Sequence, residues 1–127
     1  MNHLETKYFS LYKKLDLKLK EKYHTNKGVS EYIDFLETSN RNAKLKLNDY
    51  HFLKKLKRCR YLRNQIAHEE EVEINKEDYQ VLKEVYKQVS ENKEPLYHAS
   101  YKPLLLIVFS VLIAFFIMFI TLLIIRK

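Results

Sequence analysis

The sequence predicts an all-α protein in which a small bundle of about four helices precedes one C-terminal transmembrane helix. Only one Gly and two Pro occur among 127 residues, so the glycine turns on which β-hairpins and phosphate-binding loops depend are nearly absent. Apolar residues recur at spacings of three and four through residues 1–92, as on one face of a helix. Residues 103–125 then form an uncharged apolar run.

Two helices are predicted in the first third of the chain. The first is indicated by an apolar stripe, and the turn-forming residues 26–28 end it. A second, shorter helix at about residues 30–38 would bury Ile33 and Leu36, and the polar residues 38–42 are predicted to form a loop. The stripe of the first helix consists of Leu4, Tyr8, Leu11, Leu15, Leu19 and Tyr23.

A longer third helix and a fourth helix follow. The third is predicted at about residues 48–68. The fourth starts after Asn75, a residue type that caps helix N-termini, with Asp78 at the third helical position. Ile74 and Tyr79 have the spacing of a hydrophobic staple across this cap. The buried stripe of the fourth helix is predicted to be Leu82, Val85, Tyr86 and Val89.

The apolar run at residues 103–125 is predicted to cross a membrane. A helix of its 23 residues extends about 34 Å, enough for a hydrocarbon core of about 30 Å. A buried core helix is the alternative, but it would need a polar stripe, for which only Ser110 and Thr121 are present. The sequence therefore divides into a helical domain at residues 1–92, a linker at 93–102 and the transmembrane helix.

The orientation in the membrane is predicted from the ends of the chain. No signal peptide is recognisable near the N-terminus. The helical domain is therefore expected to face the cytoplasm, anchored by its tail in the cell membrane as a single-pass protein, with lipid around residues 103–125. Arg126 and Lys127 on the far side mildly oppose this orientation.

Basic residues dominate the middle of the chain. From Arg41 to Arg63 there are nine Lys or Arg residues and a single acid, Asp49. This segment favours an anionic partner, RNA or anionic lipid, although a solvated helix face has the same composition. The residues predicted to contact RNA are Lys54, Lys57, Arg58 and Arg60. One Cys excludes an intramolecular disulfide and no His or Cys spacing suits a metal, so no metal and no other cofactor is predicted.

Arg63 is the most informative residue of the sequence. On an ideal helix of about 100° per residue, it falls in the middle of the apolar face of the third helix. An unpaired guanidinium is costly to bury, so Arg63 requires a carboxylate, a subunit interface or an anionic ligand. Glu31 and Asp34 are candidate carboxylates. The apolar face consists of Phe52, Leu53, Leu56, Cys59, Leu62, Ile66 and Ala67.

Residues 62–69, with the sequence LRNQIAHE, resemble the signature of the HEPN superfamily, in which an Arg, often followed by a polar residue, shortly precedes a His. The resemblance extends over roughly residues 1–92 through the order of the helices. It implies an all-α bundle that dimerises with the motif at a cleft between the subunits. Many members of the superfamily are metal-independent endoribonucleases.

On this resemblance, Arg63 and His68 would be the catalytic pair and Asn64 a polar accessory. Histidine supplies a base that titrates near neutral pH, and arginine supplies a fixed cation for the charge that builds on a phosphate. Arg63 and His68 lie about 140° apart on an ideal helix. A joint site therefore requires a frayed helix end, the reach of the arginine side chain, or the partner subunit.

The resulting hypothesis is a tail-anchored, homodimeric, metal-independent endoribonuclease or RNA-binding effector of stress, toxin or phage-defence responses. The sequence leaves open whether the domain cleaves RNA, because the HEPN superfamily also contains binding modules that do not cleave. The alternative is a noncatalytic membrane-anchored interaction protein in which Arg63 makes a structural ion pair. The burial and the partners of Arg63 distinguish these two hypotheses.

Overall fold

The computed structural model describes residues 2–42, 45–68, 73–96 and 102–126. Within these residues the chain forms α-helices and no strand, which confirms the predicted fold class. The helices are α1 (His3–Tyr23), α2 (Val29–Arg41), α3 (Leu47–Ala67), α4 (Lys76–Ser90) and α5 (Lys102–Ile125). The chain divides into two units, Met1–Tyr97 with the first four helices and His98–Lys127 with α5.

Helix α1 begins at a capping box. The Asn2 side chain accepts a hydrogen bond from the Glu5 backbone N–H at 2.9 Å, and the Glu5 carboxylate accepts one from the Asn2 backbone N–H at 2.7 Å. Two N–H groups that the first turn leaves without a helical partner are thereby satisfied. The helix ends at Tyr23, where His24 adopts the left-handed conformation with φ 53°.

The turn between α1 and α2 depends on Gly28. Its φ of +50° lies in the left-handed region, and a Cβ there would approach the Asp16 backbone oxygen to 2.7 Å. Asp16 lies this close because its Oδ1 accepts a hydrogen bond from the Val29 backbone N–H at 2.9 Å, while its Oδ2 pairs with Lys20 at 2.8 Å. A carboxylate of α1 thus caps the first turn of α2.

Helix α2 is longer than the sequence predicted. It continues to Arg41, so the prediction of a loop over residues 38–42 is wrong. The Thr38 hydroxyl donates to the Asp34 carbonyl at 2.9 Å, and the Asn42 N–H donates to the Thr38 carbonyl at 3.2 Å. These polar residues therefore extend the helical hydrogen bonding instead of competing with it.

The core of the bundle lies between α1, α2, α3 and α4. Tyr32 of α2 is buried near its centre, stacked on Tyr23 at 5.6 Å between ring centroids and edge-on to Phe52 at 6.2 Å. Six of the seven residues predicted for the apolar face of the third helix are buried, and Ala67 at its end is exposed. The buried residues of the first three helices are Tyr8, Tyr12, Leu15, Leu19, Val29, Tyr32, Ile33, Leu36, Phe52, Leu53, Leu56, Cys59, Leu62 and Ile66.

Helix α4 starts as the sequence predicted. The Asn75 side chain caps it by accepting a hydrogen bond from the Asp78 backbone N–H at 2.7 Å. Ile74 before the cap is buried and Tyr79 packs against the core, in keeping with the staple spacing. The buried stripe of α4 consists of Leu82, Val85 and Val89, and Tyr86 is half-buried beside it.

A buried carboxylate fastens the segment after α4 to the end of α1. Glu94 is 5% exposed, pairs with the Lys22 ammonium and accepts a hydrogen bond from the Tyr23 hydroxyl at 2.5 Å. The Tyr32 hydroxyl donates to the Pro95 carbonyl. Contacts with the bundle therefore continue to Pro95. Of the predicted linker at 93–102, residues 97–101 lie outside the described residues.

Helix α5 contains a stretch, Leu106–Ile125, that is long and apolar enough to cross a membrane. Its described side chains are exposed. The Ser110 hydroxyl donates to the Ile107 carbonyl and the Thr121 hydroxyl to the Met118 carbonyl, each at 2.8 Å. Both hydroxyls are thus satisfied within the helix, as the hydrocarbon interior of a bilayer requires.

Replacing Gly28 with alanine is expected to lower the free energy of unfolding by about 2–3 kcal/mol. The new Cβ would meet a backbone oxygen, and the alanine would have to adopt a positive φ. The exposed Asn26 in the same turn provides the control, Asn26→Ala. Urea denaturation of the full chain in neutral detergent, followed by near-ultraviolet circular dichroism of the tyrosines, measures the change. Equal stability of the two variants would show that the turn tolerates a side chain.

Glu94→Ala is expected to lower the free energy of unfolding by about 3 kcal/mol, because it removes the carboxylate that pairs with the partly buried Lys22 ammonium and accepts from the Tyr23 hydroxyl. Glu91→Ala removes a carboxylate whose ion pairs with Lys87 and Lys93 lie at the surface, and no measurable change is expected. The same urea titration compares the two variants. If Glu94→Ala lowers the free energy of unfolding no more than Glu91→Ala does, Glu94 does not hold the segment after α4 to the end of α1.

Candidate functional site

A basic cavity of about 480 Å³ opens between α1, the start of α2 and the second half of α3. Among the described residues that line it, five are Lys or Arg and one is Asp. Such an excess of positive charge in a concave surface attracts anions. The lining residues are Tyr12, Lys13, Asp16, Leu17, Lys20, Lys27, Ser30, Arg60, Arg63 and Asn64.

Arg63 is half-buried at the inner wall of this cavity. Its guanidinium carbon lies 5.5 Å from the ring centroid of Phe9 and 5.8 Å from that of Tyr12, so two aromatic rings of α1 support the cation. Nη1 donates to the Asn64 side-chain oxygen at 3.0 Å. Nε is buried and has no hydrogen-bond partner among the described residues.

No carboxylate in the described part of the chain forms an ion pair with Arg63. Neither Glu31 nor Asp34, the two carboxylates considered from the sequence, pairs with it. A guanidinium that is partly removed from water and lacks a counter-ion is unfavourable. An anion that entered the cavity would supply both the missing negative charge and an acceptor for Nε. The environment of Arg63 is therefore that of a ligand-binding cation more than that of a structural ion pair.

Asp16 is the one acid that lines the cavity within the described residues. Both of its oxygens are engaged, one with the Val29 N–H and the other with Lys20. Burial raises the pKa of the neighbouring Tyr12 hydroxyl and Asp16 raises it further, whereas Arg63 and Arg60 lower it. Tyr12 thus remains a neutral group in the wall, and Asp16 serves the helix cap and Lys20 instead of Arg63.

The structure brings together only some of the predicted site residues. Arg63, Asn64 and Arg60 line the cavity, the last two being half-buried. His68 lies one residue beyond the end of α3, is exposed, and is not among the residues that line the cavity. Its backbone N–H donates to the Asn64 carbonyl at 3.0 Å. The predicted pair of Arg63 and His68 therefore does not share this cavity.

The other residues predicted to contact RNA lie on the exposed side of α3. Lys57 pairs with Glu37 of α2 at 2.5 Å, and Arg58 pairs with Asp78 of α4 at 3.4 Å. Lys54 lies 5.7 Å from the ring centroid of Tyr50. Part of the basic segment thus balances acids on neighbouring helices.

Sequence reasoning missed four polar residues that line the cavity from α1, from the turn before α2 and from the first turn of α2: Lys13, Lys20, Lys27 and Ser30. Lys13, Asp16 and Lys20 share one face of α1 through their spacing of three and four. That spacing is the available signal, but it is equally typical of a solvated helix face. Their grouping with Arg63 depends on the tertiary packing of α1 against α3.

The described residues contain no cluster of three or more His, Cys, Asp or Glu side chains that could hold a metal. Cys59 is buried on the core face of α3, and burial raises the pKa of its thiol to about 11. The thiol is therefore protonated at neutral pH and is a poor nucleophile. Its role is to fill the core.

Residues 6–103 match the model of a family of unknown function, DUF6548. The chain belongs to this family. No curated protein and no solved structure matches it significantly.

The DUF6548 match overturns the resemblance to the HEPN superfamily, and nothing in the comparisons shows a HEPN domain. The motif at residues 62–69 is short, and two of its positions serve the core. Leu62 and Ile66 belong to the core stripe of α3, and His68 follows the end of the helix. An arginine and a histidine at this spacing can thus stand at the end of a helix without forming a joint catalytic site.

Arg63→Met keeps the length of the side chain and removes its charge. The free energy of unfolding is expected to stay within about 1 kcal/mol of the parent, because an unpaired, partly buried charge contributes little net stability. Urea denaturation of the full chain in neutral detergent measures it. A loss of about 3 kcal/mol, as expected for breaking a buried ion pair, would mean that Arg63 has a structural partner.

Proposed function

We propose that this DUF6548 protein is a membrane-anchored module that binds a phosphate-bearing ligand in the cavity between α1, α2 and α3. The supporting observation is Arg63, which is half-buried, carries an unpartnered Nε and has no carboxylate partner in the described chain. Its neighbour Asn64 orients the guanidinium by accepting from Nη1. Arginine suits phosphate because its planar donors match two phosphate oxygens at once.

The cations around Arg63 extend the same recognition. Arg60 lies one turn earlier on α3, and Lys13 and Lys27 approach from α1 and from the loop before α2. Ser30, in the first turn of α2, adds a hydroxyl where the helix dipole is positive. A phosphate group in the cavity would therefore meet charge from three elements of the bundle.

The geometry supports binding more directly than RNA cleavage. Cleavage through Arg63 and His68 requires both side chains at one phosphate, and His68 is exposed outside the cavity. A second copy of the chain would have to supply its own His68 for that reaction. The proposed function is accordingly that of a binding module, and it needs no second copy.

The proposed anchor is α5, with the bundle on the cytoplasmic side of the membrane. Its stretch Leu106–Ile125 is long and apolar enough to cross a bilayer. Four lysines (Lys83, Lys87, Lys93 and Lys102) lie within about 20 residues before the apolar run, against Arg126 and Lys127 after it. Segments rich in Lys and Arg are retained on the cytoplasmic side, which supports this orientation.

Titration with inorganic phosphate tests the binding site directly. In the full chain in neutral detergent, the ¹H–¹⁵N signal of Arg63 Nε is expected to shift with saturation as phosphate is added, because this N–H lacks a partner. Arg58 Nε, which is already paired with Asp78, is the control within the same spectrum and is expected to stay in place.

Two variants complete this test. Phosphate is expected to raise the thermal unfolding temperature of the parent chain in a saturable manner. Arg63→Met is expected to abolish this protection. Lys76→Met, at an exposed position of α4 outside the cavity, removes the same charge and is expected to leave the protection intact. Equal shifts of the Arg63 and Arg58 signals, or protection that survives Arg63→Met, would refute the proposed site.

A further inference from the structure

We propose that the phosphate-bearing ligand is single-stranded RNA, held lengthwise along α3 between the Arg63 cavity and a second cavity at Tyr50; this inference rests on the proposed function. The observation that supports this inference is a stripe of aromatic and polar or basic side chains on one face of α3. The stripe consists of Tyr50, Lys54, Lys57, Tyr61 and Asn64. On an ideal helix these five residues point within about 40° of one direction.

The stripe is accessible along its length. Tyr50 is 38% exposed and Tyr61 is 52% exposed, which is uncommon for large aromatic side chains in a bundle that buries Tyr8 and Tyr32. Tyr50 and Asn64 are separated by 14 positions, or about 21 Å of helix. Asn64 lines the Arg63 cavity. The stripe therefore ends at the proposed phosphate site.

A second cavity of about 610 Å³ lies at the other end of the stripe, between the C-terminal end of α2 and the first half of α3. Its lining suits a nucleotide. Tyr50 offers a ring face for a base, the Asn40 amide offers a donor and an acceptor for the edge of a base, and Arg41 and Lys54 offer charge for a phosphate.

The charges of this second cavity are only partly balanced. Its acid, Glu37, is bonded to Lys57, which holds the pKa of the Glu37 carboxyl below its usual value. No carboxylate of the described chain pairs with Arg41 or Lys54. At neutral pH the Glu37 and Lys57 charges cancel, and the two remaining cations leave the cavity positive.

Cations and aromatic rings occur together along the stripe. Lys54 Nζ lies 5.7 Å from the Tyr50 ring centroid, and the Arg58 guanidinium lies 5.8 Å from that of Tyr61. Proteins that bind single strands combine a positive groove for the backbone with aromatic rings on which bases stack. A compact anion would occupy one cavity and contact neither the other cavity nor the exposed rings along α3. A single strand would use both.

Binding of fluorescein-labelled oligouridylates to the full chain in neutral detergent tests this inference. An octamer is expected to bind at least tenfold more tightly than a dinucleotide, because only the octamer reaches both cavities. Tyr50→Leu is expected to weaken octamer binding about tenfold, the loss of one stacked base. Tyr50→Phe, which keeps the ring, is expected to restore octamer binding.

Helix α4 offers a matched control for Tyr50→Leu. Lys83 lies 5.9 Å from the Tyr79 ring centroid, the same arrangement as Lys54 and Tyr50 but outside both cavities. Tyr79→Leu is therefore expected to leave octamer binding unchanged. Near-ultraviolet circular dichroism shows whether each variant is folded.

The outcomes separate the two proposals. Equal affinities for dinucleotide and octamer, or octamer binding that Tyr50→Leu does not weaken, overturn the single-strand inference and leave the phosphate site standing if Arg63→Met still abolishes binding. Glycerophosphoserine, a soluble lipid headgroup, is the competing probe, and displacement of the octamer by it at equal concentration also overturns the inference. Binding that is unaffected by Arg63→Met overturns the proposed function itself.

Discussion

The hydrogen bond from the Val29 N–H to the Asp16 carboxylate is the interaction on which the packing of α1 against α2, and with it the cavity, depends. A helix N-terminus leaves N–H groups without partners, and Gly28 has no side chain with which to cap α2. Asp16 supplies the cap from α1 through the Val29 N–H, and the close approach that this requires leaves no room for a Cβ on Gly28. Its other oxygen pairs with Lys20. Asp16, the acid among the described residues that line the cavity, thereby holds two helices together and neutralises Lys20, and the other four lining cations have no carboxylate partner in the described chain.

Arg63 and Glu94 show opposite treatments of charge in one small bundle. Glu94 is buried with a cation and a hydroxyl as partners, so its charge fastens the segment after α4 to the end of α1. Arg63 is supported by aromatic rings and an amide, which position the guanidinium without neutralising it. A cation held in place but left unneutralised contributes little to folding and is ready to bind an anion. Glu94 therefore has an architectural role, whereas Arg63 is the cation on which the proposed anion site rests.

The fold was predictable from sequence because it follows from local rules, whereas the cavity was not. Apolar spacing and the Asn75 cap predicted the helices, since both signals lie within a few neighbouring residues. The end of α2 was misjudged because Thr38 bonds back to its own helix, which composition does not reveal. Arg63 was recognised as anomalous from its position on the apolar face. The cavity walls come from α1 and from the turn before α2, and only tertiary packing brings Lys13 and Lys27 to the same place as Arg63.

The core position of Cys59 has a practical consequence. It is the only cysteine of the chain, it is 1% exposed, and its thiol is protonated at neutral pH. A cysteine introduced at the surface would therefore be the sole reactive thiol of the folded protein. A spin label or dye could be attached at an exposed position of α3 without first replacing the native cysteine, and its signal would report on the surroundings of that position in a lipid bilayer.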